Sequence, residues 1–571
     1  MSPQKAAAAF ILIILLSVGM LSVEIFSMGI PSSFDQVESA KNMPVIAVIG
    51  SSLAAGWVTS RDEKFDMKNG WAERLGRHLQ PQGFRVINIS NPGDTTEKVL
   101  DRLEKDLFPL NADIVIISLS LENEGIRGLW EKTPEEVYEG FKGNLKAIVE
   151  KCRQNGIRPV IASCYASDNY TEDRHYDFIK KMNLELASWD VPGINLLGAL
   201  DNGRGRFVPG VTFDLDHPDS KGHRELFYSV VPGLFEAVIK ATPLPQKAAT
   251  NGFFTAKRKE KSMPLSYIPD SPMHSFTMFF ETRIKEPGTA AVIIGFDGGE
   301  SRIDWDGNHL QYISSQGNSI PIEIKIQEGP WHSVSVSHHY AGGETIVFVD
   351  GLPAGRVDER IIPLHFILGG SGKSIEGRKS AGADYREWMI YRTALNPDEA
   401  ASLHQGVLLQ PSLELYAPLS VMPGERDRPL KNLAQNTARA FFYPSLRNGD
   451  MDSLREKIRL DAEAEKIFVD PDTKQPVEID PAVLMQLQGV YEVNPQMAIT
   501  IVLEEGRFFA LVNEGREGKM ELFPLSASRF FMKLVGPEAE MEFVSPEDGS
   551  QMEIVLRIGP DQMKAKRVRL R

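Results

Sequence analysis

Short aliphatic runs that do not alternate with polar residues recur through the first part of the chain. They are "PVIAVIG" at Pro44–Gly50, "RVINIS" at Arg85–Ser90, "DIVIISLSL" at Asp113–Leu121 and "RPVIASCY" at Arg158–Tyr165. A strand apolar at successive positions is buried on both faces, as in a parallel sheet covered by helices. The intervening segments "NGWAERLGRHL", "TTEKVLDRLEKDL" and "TPEEVYEGFKGNLKAIVEKC" carry apolar residues at helical spacing instead. Strand and helix therefore alternate, and residues 40–245 are predicted to form a three-layer α/β domain. Ligands of such sheets sit at the carboxyl ends of the strands.

After "TPLPQKAATNG" the period changes. Residues 252–408 show alternating strands, among them "SFTMFFETRI", "IPIEIKI", "WHSVSVSHHY" and "TIVFVDG", punctuated by Gly342-Gly343 and Asp350-Gly351. This pattern predicts an all-β sandwich. A connector over 409–480 contains one helical stretch, "DMDSLREKIRLDAEAEKIF". Residues 481–571 return to β-rich sequence and read as a small antiparallel meander or barrel.

A chain of 571 residues with 42% hydrophobic and 25% charged positions fits such a multidomain globular protein. Its net charge of −14 argues against nucleic acid as a partner. Cys152 and Cys164 are the only cysteines; two buried thiols or one disulfide are both compatible with their positions, and no metal-ligand spacing is present. In "DWDGN" at Asp304–Asn308 a hairpin turn is expected rather than a calcium loop, and His338-His339 reads as an exposed strand end. The amino terminus is more telling. Ala6–Val23 is uncharged and apolar after Lys5, so residues 1–28 read as a signal peptide or an N-terminal membrane anchor, with "FSMG" around Ser27 as the best cleavage candidate. Export to the periplasm, cell surface or medium is the expectation.

The chemistry-bearing residues lie at the strand ends. The first strand stops at Gly50-Ser51-Ser52-Leu53, which is either an ordinary helix cap or a hydroxyl presented for reaction. The second runs into "NISNPGDTT", with Gly93 before a helix that Asp94 and Glu97 are expected to cap. The third ends in "SLSLENEG" with Asn123, and "FDLDHPDSKGH" places Asp214 three residues before His217. Acyl transfer needs a hydroxyl, a base, a group orienting the base, and donors for the oxyanion. All these residue types occur at strand ends of one domain.

These four motifs resemble the SGNH/GDSL family of serine esterases and lipases. The resemblance implies a flavodoxin-like fold with Ser52 as nucleophile, Asp214 and His217 as its catalytic partners, and Ser52, Gly93 and Asn123 as the oxyanion hole. It implies no metal and no organic cofactor. The position of Ser52 at a helix start is expected to add a favourable dipole. Ser51 stands where the family has aspartate, and Leu121-Glu122 precede Asn123 where glycine is common; a register one residue earlier would put Glu122 at the asparagine position.

Two further resemblances cover the rest. "SFTMFFETRI", Trp331-His332, "VFVDG", "LGG" and "DYREWMIYRTALNPDEAASLHQG" are similar to the concanavalin A-like, laminin G-like jelly roll. "LQGVYEVNPQMAITIVLEEGRFFALV", "LFPLSASRFF", "MEFV" and "KAKRV" are similar to the β-domain appended to beta-lactamase-related hydrolases. Together they imply an exported esterase acting on a small ester or an acylated glycan, with a glycan or protein ligand for the sandwich. A surface adhesion or glycan-binding protein with an inactive SGNH domain and a membrane-anchored lipase or lysophospholipase are the alternatives.

Overall fold

The computed structural model describes residues 43–569 apart from intervening stretches, of which 58–68 and 371–381 are the longest. The apolar segment Ala6–Val23 lies outside the described residues, as does the end of the Asp304–Asn308 stretch. Among the described residues no helix is long and apolar enough to cross a membrane. No group of three or more His, Cys, Asp or Glu side chains in them could hold a metal ion.

Five parallel strands form the first sheet: β1 (Val45–Gly50), β2 (Arg85–Asn88), β3 (Ile114–Ser118), β4 (Arg158–Ala162) and β5 (Gly193–Ile194), in the order β2-β1-β3-β4-β5. Every residue of β1 and β3 is buried, as expected of central strands with helices on both faces. The helices are α1 (Ser52–Ala55), α2 (Trp71–Leu79), α3 (Thr96–Arg102), α4 (Pro134–Gln154), α5 (Asp173–Ala187), α6 (Leu197–Leu200), α7 (Ser220–Tyr228) and α8 (Leu234–Ile239). Helix α2 buries Trp71, Ala72, Leu75 and Leu79, one stripe at helical spacing. Helix α4 starts in a reciprocal capping box between Thr133 and Glu136, with Pro134 in its first turn. The cap of α3 differs from the sequence expectation. Thr95 accepts from the Lys98 N–H, whereas Asp94 turns to Arg102, which it meets at 2.6 Å. A hydroxyl suffices for the cap, and a nearly buried carboxylate is better matched by a guanidinium.

The following β-rich region is two facing antiparallel sheets that share one core, with Phe276 and Met278 from one sheet packed among Val292 and Ile294 from the other. Asp350-Gly351 makes the two-residue turn between strands Glu344–Val349 and Leu352–Asp358, where Val349 pairs with Leu352. Strands Leu413–Ala417 and Ala440–Phe442, from the segment read as a connector, complete these sheets. The predicted helix of that segment spans Asn448–Ile467. His338-His339 corrects its expectation. Both are buried: His338 bonds to Thr345 and packs near Phe276 inside the two-sheet core, while His339 faces the α/β unit and reaches the Ala199 carbonyl at 3.0 Å. Cys152 and Cys164 are free buried thiols.

The last region is one nine-stranded antiparallel sheet. Its two outermost strands, Gly518–Glu521 and Phe523–Pro524, are consecutive in the chain, so the sheet curls until its edges meet around a single core. Curling in this way limits the exposed edge.

Candidate active site

In a sheet of this order the chain departs from β1 in opposite directions toward β2 and β3, which opens a crevice at their carboxyl ends. A Cβ on Gly50 would stand 2.1 Å from the Ser118 carbonyl oxygen, so only glycine lets β1 pass β3 this closely. The Ser51 N–H then donates to that carbonyl at 3.4 Å. After β2, the Asn91 N–H donates to the Gly50 carbonyl at 3.0 Å, bringing the loop that carries Gly93 to the same point. Gly93 has a φ of 79°, a backbone state that disfavours a side chain.

The two serines differ in environment. Ser51 is fully buried as the residue before α1, while Ser52, the first residue of α1, is half-buried. Helix α1 has only four residues, so the dipole expected to favour charge at Ser52 is small. The first N–H groups of a helix have no partner inside it and are free to point at a ligand.

Asn123 donates from Nδ2 to the Ser51 hydroxyl at 3.0 Å and accepts at Oδ1 from the Tyr165 hydroxyl at 2.9 Å. The tyrosine, fully buried beyond the end of β4, fixes which way the amide faces. The neighbouring Glu122 points elsewhere, meeting Arg127 at 2.7 Å. The asparagine register thus places the amide beside the serine pair, and the glutamate register does not. Tyr165 was not singled out in the sequence; its position just beyond a buried strand was the available signal. Glu124 accepts from the Thr96 N–H at 2.5 Å, tying the end of β3 to the start of α3.

Asp214 and His217 meet directly. His217 Nδ1 lies 2.9 Å from both Asp214 carboxylate oxygens, and Asp214 Oδ1 also accepts the backbone N–H groups of Asp216 and His217 at 2.8 Å. A carboxylate against Nδ1 places the proton there and leaves Nε2 as the acceptor. Burial lowers the His217 pKa, but the charge and hydrogen bond of Asp214, followed by Asp216 and Glu122, raise it to a net position above the ordinary value of 6.5. Glu122 is pushed up to about 7 by burial, against the pull of Arg127 and with Asp216 adding to the rise. This acidic cluster, formed by residues far apart in sequence, was not anticipated. His223, one turn beyond in α7, is driven down to about 3 by burial with Arg74 nearby, and accepts the Trp71 N–H at 3.3 Å; it serves as a neutral anchor.

The serine turn, the glycine loop, the asparagine and the Asp–His loop thus lie at one end of one sheet. Residues 48–225 match the model of the GDSL-like Lipase/Acylhydrolase family. This GDSL-like segment takes in all the residues above. An arylesterase from Vibrio mimicus is 30% identical over 142 residues, covering 24% of the present chain and 64% of the arylesterase. An acetylxylan esterase from Geobacillus stearothermophilus is 18% identical, with 33% of this chain and 91% of that one covered and a TM-score of 0.27. An alpha/beta hydrolase from the metagenome of Lake Arreo is 20% identical, with 33% and 92% covered and a TM-score of 0.26.

Proposed function

We propose that this chain is a serine esterase of the GDSL type, hydrolysing carboxylic esters through Ser52. The observation that carries the reading is the bidentate contact of Asp214 with His217 Nδ1 inside the segment that matches a hydrolase family. In this reading the Ser52 hydroxyl attacks the ester carbonyl and passes its proton to His217 Nε2. Asp214 holds the imidazole tautomer and steadies its positive charge. The N–H groups of Ser52 and Gly93 and the Asn123 amide stabilise the oxyanion. His217 then protonates the departing alkoxide, and water repeats the sequence on the acyl-enzyme. Likeness to an arylesterase makes short aryl esters the first substrates to try. Export is part of the proposal, supported by the apolar Ala6–Val23 stretch, and the association with a β-sandwich suggests acyl groups on glycans as natural substrates.

A fluorophosphonate probe tests this without knowledge of the substrate. Covalent adduct mapped by peptide mass spectrometry to Ser52 is the expected outcome; absence of labelling, or labelling confined to other serines, refutes it. Tyr165→Phe is expected to lower kcat about tenfold with little change in KM. The loss is smaller than the ~10²–10³-fold typical of deleting an oxyanion donor, because the amide stays but loses its fixed orientation. Steady-state kinetics on an aryl ester reads this directly, and an unchanged kcat would show that Asn123 is oriented without the tyrosine.

A further inference from the structure

The loop that carries Asp214 and His217 is gripped by a second loop, Ser167–Asn169, beyond β4. The Asp168 N–H donates to the Leu215 carbonyl at 2.8 Å, and the Ser167 hydroxyl donates to the same carbonyl at 3.3 Å and to Asp216 Oδ1 at 3.2 Å. The Asn169 amide donates to Asp216 Oδ1 as well. Asp168 itself is almost fully buried, accepting the Phe207 N–H at Oδ1 (3.1 Å) and Arg507 Nη2 at Oδ2 (2.6 Å). Arg507 comes from strand Arg507–Val512 of the nine-stranded sheet, 339 residues further along the chain. Glu521 on the adjacent strand orients the guanidinium from Nε (2.9 Å) and Nη2 (2.6 Å). A second contact runs in parallel: Leu215, between Asp214 and Asp216, packs on Val502 and Phe509 of the same sheet.

We propose that Arg507 is a positioning residue for the Asp214–His217 pair, so that the C-terminal β-unit completes the hydrolase site from outside the segment that carries the chemistry. The inference rests on the esterase reading for its kinetic consequence, but its structural part does not. Burial raises the Asp168 pKa and the Arg507 bond opposes that rise. Loss of the guanidinium therefore leaves a buried, poorly compensated acid at the centre of the clamp. A clamp relaxed in this way lets His217 drift relative to Asp214, and small misplacements of catalytic groups cost rate steeply.

The test compares Arg507→Gln, Arg507→Lys and the double variant Arg507→Gln/Asp168→Asn in the full chain. Thermal melts confirm folding, aryl-ester kinetics give kcat and KM, and NMR of ring-labelled histidine follows His217. The groups facing His217 are Asp214 and Asp216 of its own loop, Glu122 at the end of β3 and His223 of α7. Because Asp214 and its acidic neighbours hold the His217 pKa up, loosening the loop moves the titration down toward the ordinary value, and the acidic limb of kcat/KM shifts with it. The expected result for Arg507→Gln is about a tenfold fall in kcat with KM nearly unchanged. Arg507→Lys is expected to recover most of that loss, and Asp168→Asn, by removing the uncompensated charge, to recover part of it in the Arg507→Gln background. A folded Arg507→Gln protein with unaltered kcat and His217 titration overturns the inference. So does a loss of activity that follows the folded fraction while the titration stays put, since that is ordinary domain adhesion. A wild-type protein without esterase activity refutes the functional reading instead, and the His217 titration then decides this inference alone.

Discussion

Ser52→Ala is expected to abolish ester hydrolysis while Ser51→Ala retains it, although the two hydroxyls are adjacent in the chain. Removing a serine nucleophile typically costs on the order of 10⁴-fold or more in kcat, and what remains reflects oxyanion stabilisation and binding alone. Ser51 is sealed from solvent and its hydroxyl is occupied by the Asn123 amide. Its loss should be felt only through that amide, as a change of a few-fold at most, since the donor is not removed. Hydrolysis of a short aryl ester by the two variants, at matched folded protein, reads the difference. Activity kept in Ser52→Ala but lost in Ser51→Ala would transfer the nucleophile to the buried position and refute the assignment.

The largest expected effect on stability lies elsewhere, in the two-sheet unit. Arg392 and Glu414 are both about 1% exposed and form a direct ion pair. The guanidinium also donates to the Pro272 carbonyl at 2.8 Å, to the Ser271 carbonyl at 3.2 Å and to its hydroxyl at 2.9 Å, while Tyr267 donates to Glu414. Burial pulls the Arg392 pKa down to about 10, still far above neutrality. Arg392→Met removes the only cation in this set and leaves Glu414 buried. Breaking a buried pair on one side costs ~3–5 kcal/mol, whereas replacing both partners by apolar groups is often close to neutral. Arg392→Met alone should therefore lower the urea midpoint sharply, and adding Glu414→Leu should restore most of it. If the double variant is no more stable than the single one, the network of Ser271, Pro272 and Tyr267 matters more than the charge balance.

How much of this was legible follows from the range of the interactions involved. The strands of the parallel sheet announced themselves because a strand buried on both faces must be apolar at every position, a constraint local to six or so residues. Gly50, Gly93 and Asn123 could be marked because they sit in short motifs that follow strands, and Asp214 and His217 because their three-residue spacing is itself a short motif, carried on the loop between α6 and α7 rather than at the strand end expected for it. The expectation for Asp94 failed for the opposite reason. The N–H groups at the start of α3 are met by Thr95 and by Glu124 from the turn after β3, while Arg102 offers the Asp94 carboxylate a better partner. His338 and His339 depart from the exposed strand end expected of them because an alternating strand does not say what covers its faces; here the α/β unit covers one of them, and the Ala199 carbonyl receives His339. Tyr165 lay within reach of the strand-end rule, but a tyrosine carries no sign of the amide it will orient.

Local residue order was enough for the alternation of strand and helix, the change to β structure after about residue 250, and the reactive residue types in the motifs that follow the strands and in the Asp214–His217 loop. Periodicity and motif spacing are local, and each was readable from a window of a dozen residues. Long-range packing settles which of two serines is sealed and which is half-open, and turns Asn123 rather than Glu122 toward Ser51. It alone placed Arg507 against Asp168 across 339 residues of chain. Those outcomes depend on contacts between segments whose meeting is fixed by packing and charge compensation, and no local pattern encodes the partner a buried charge will find.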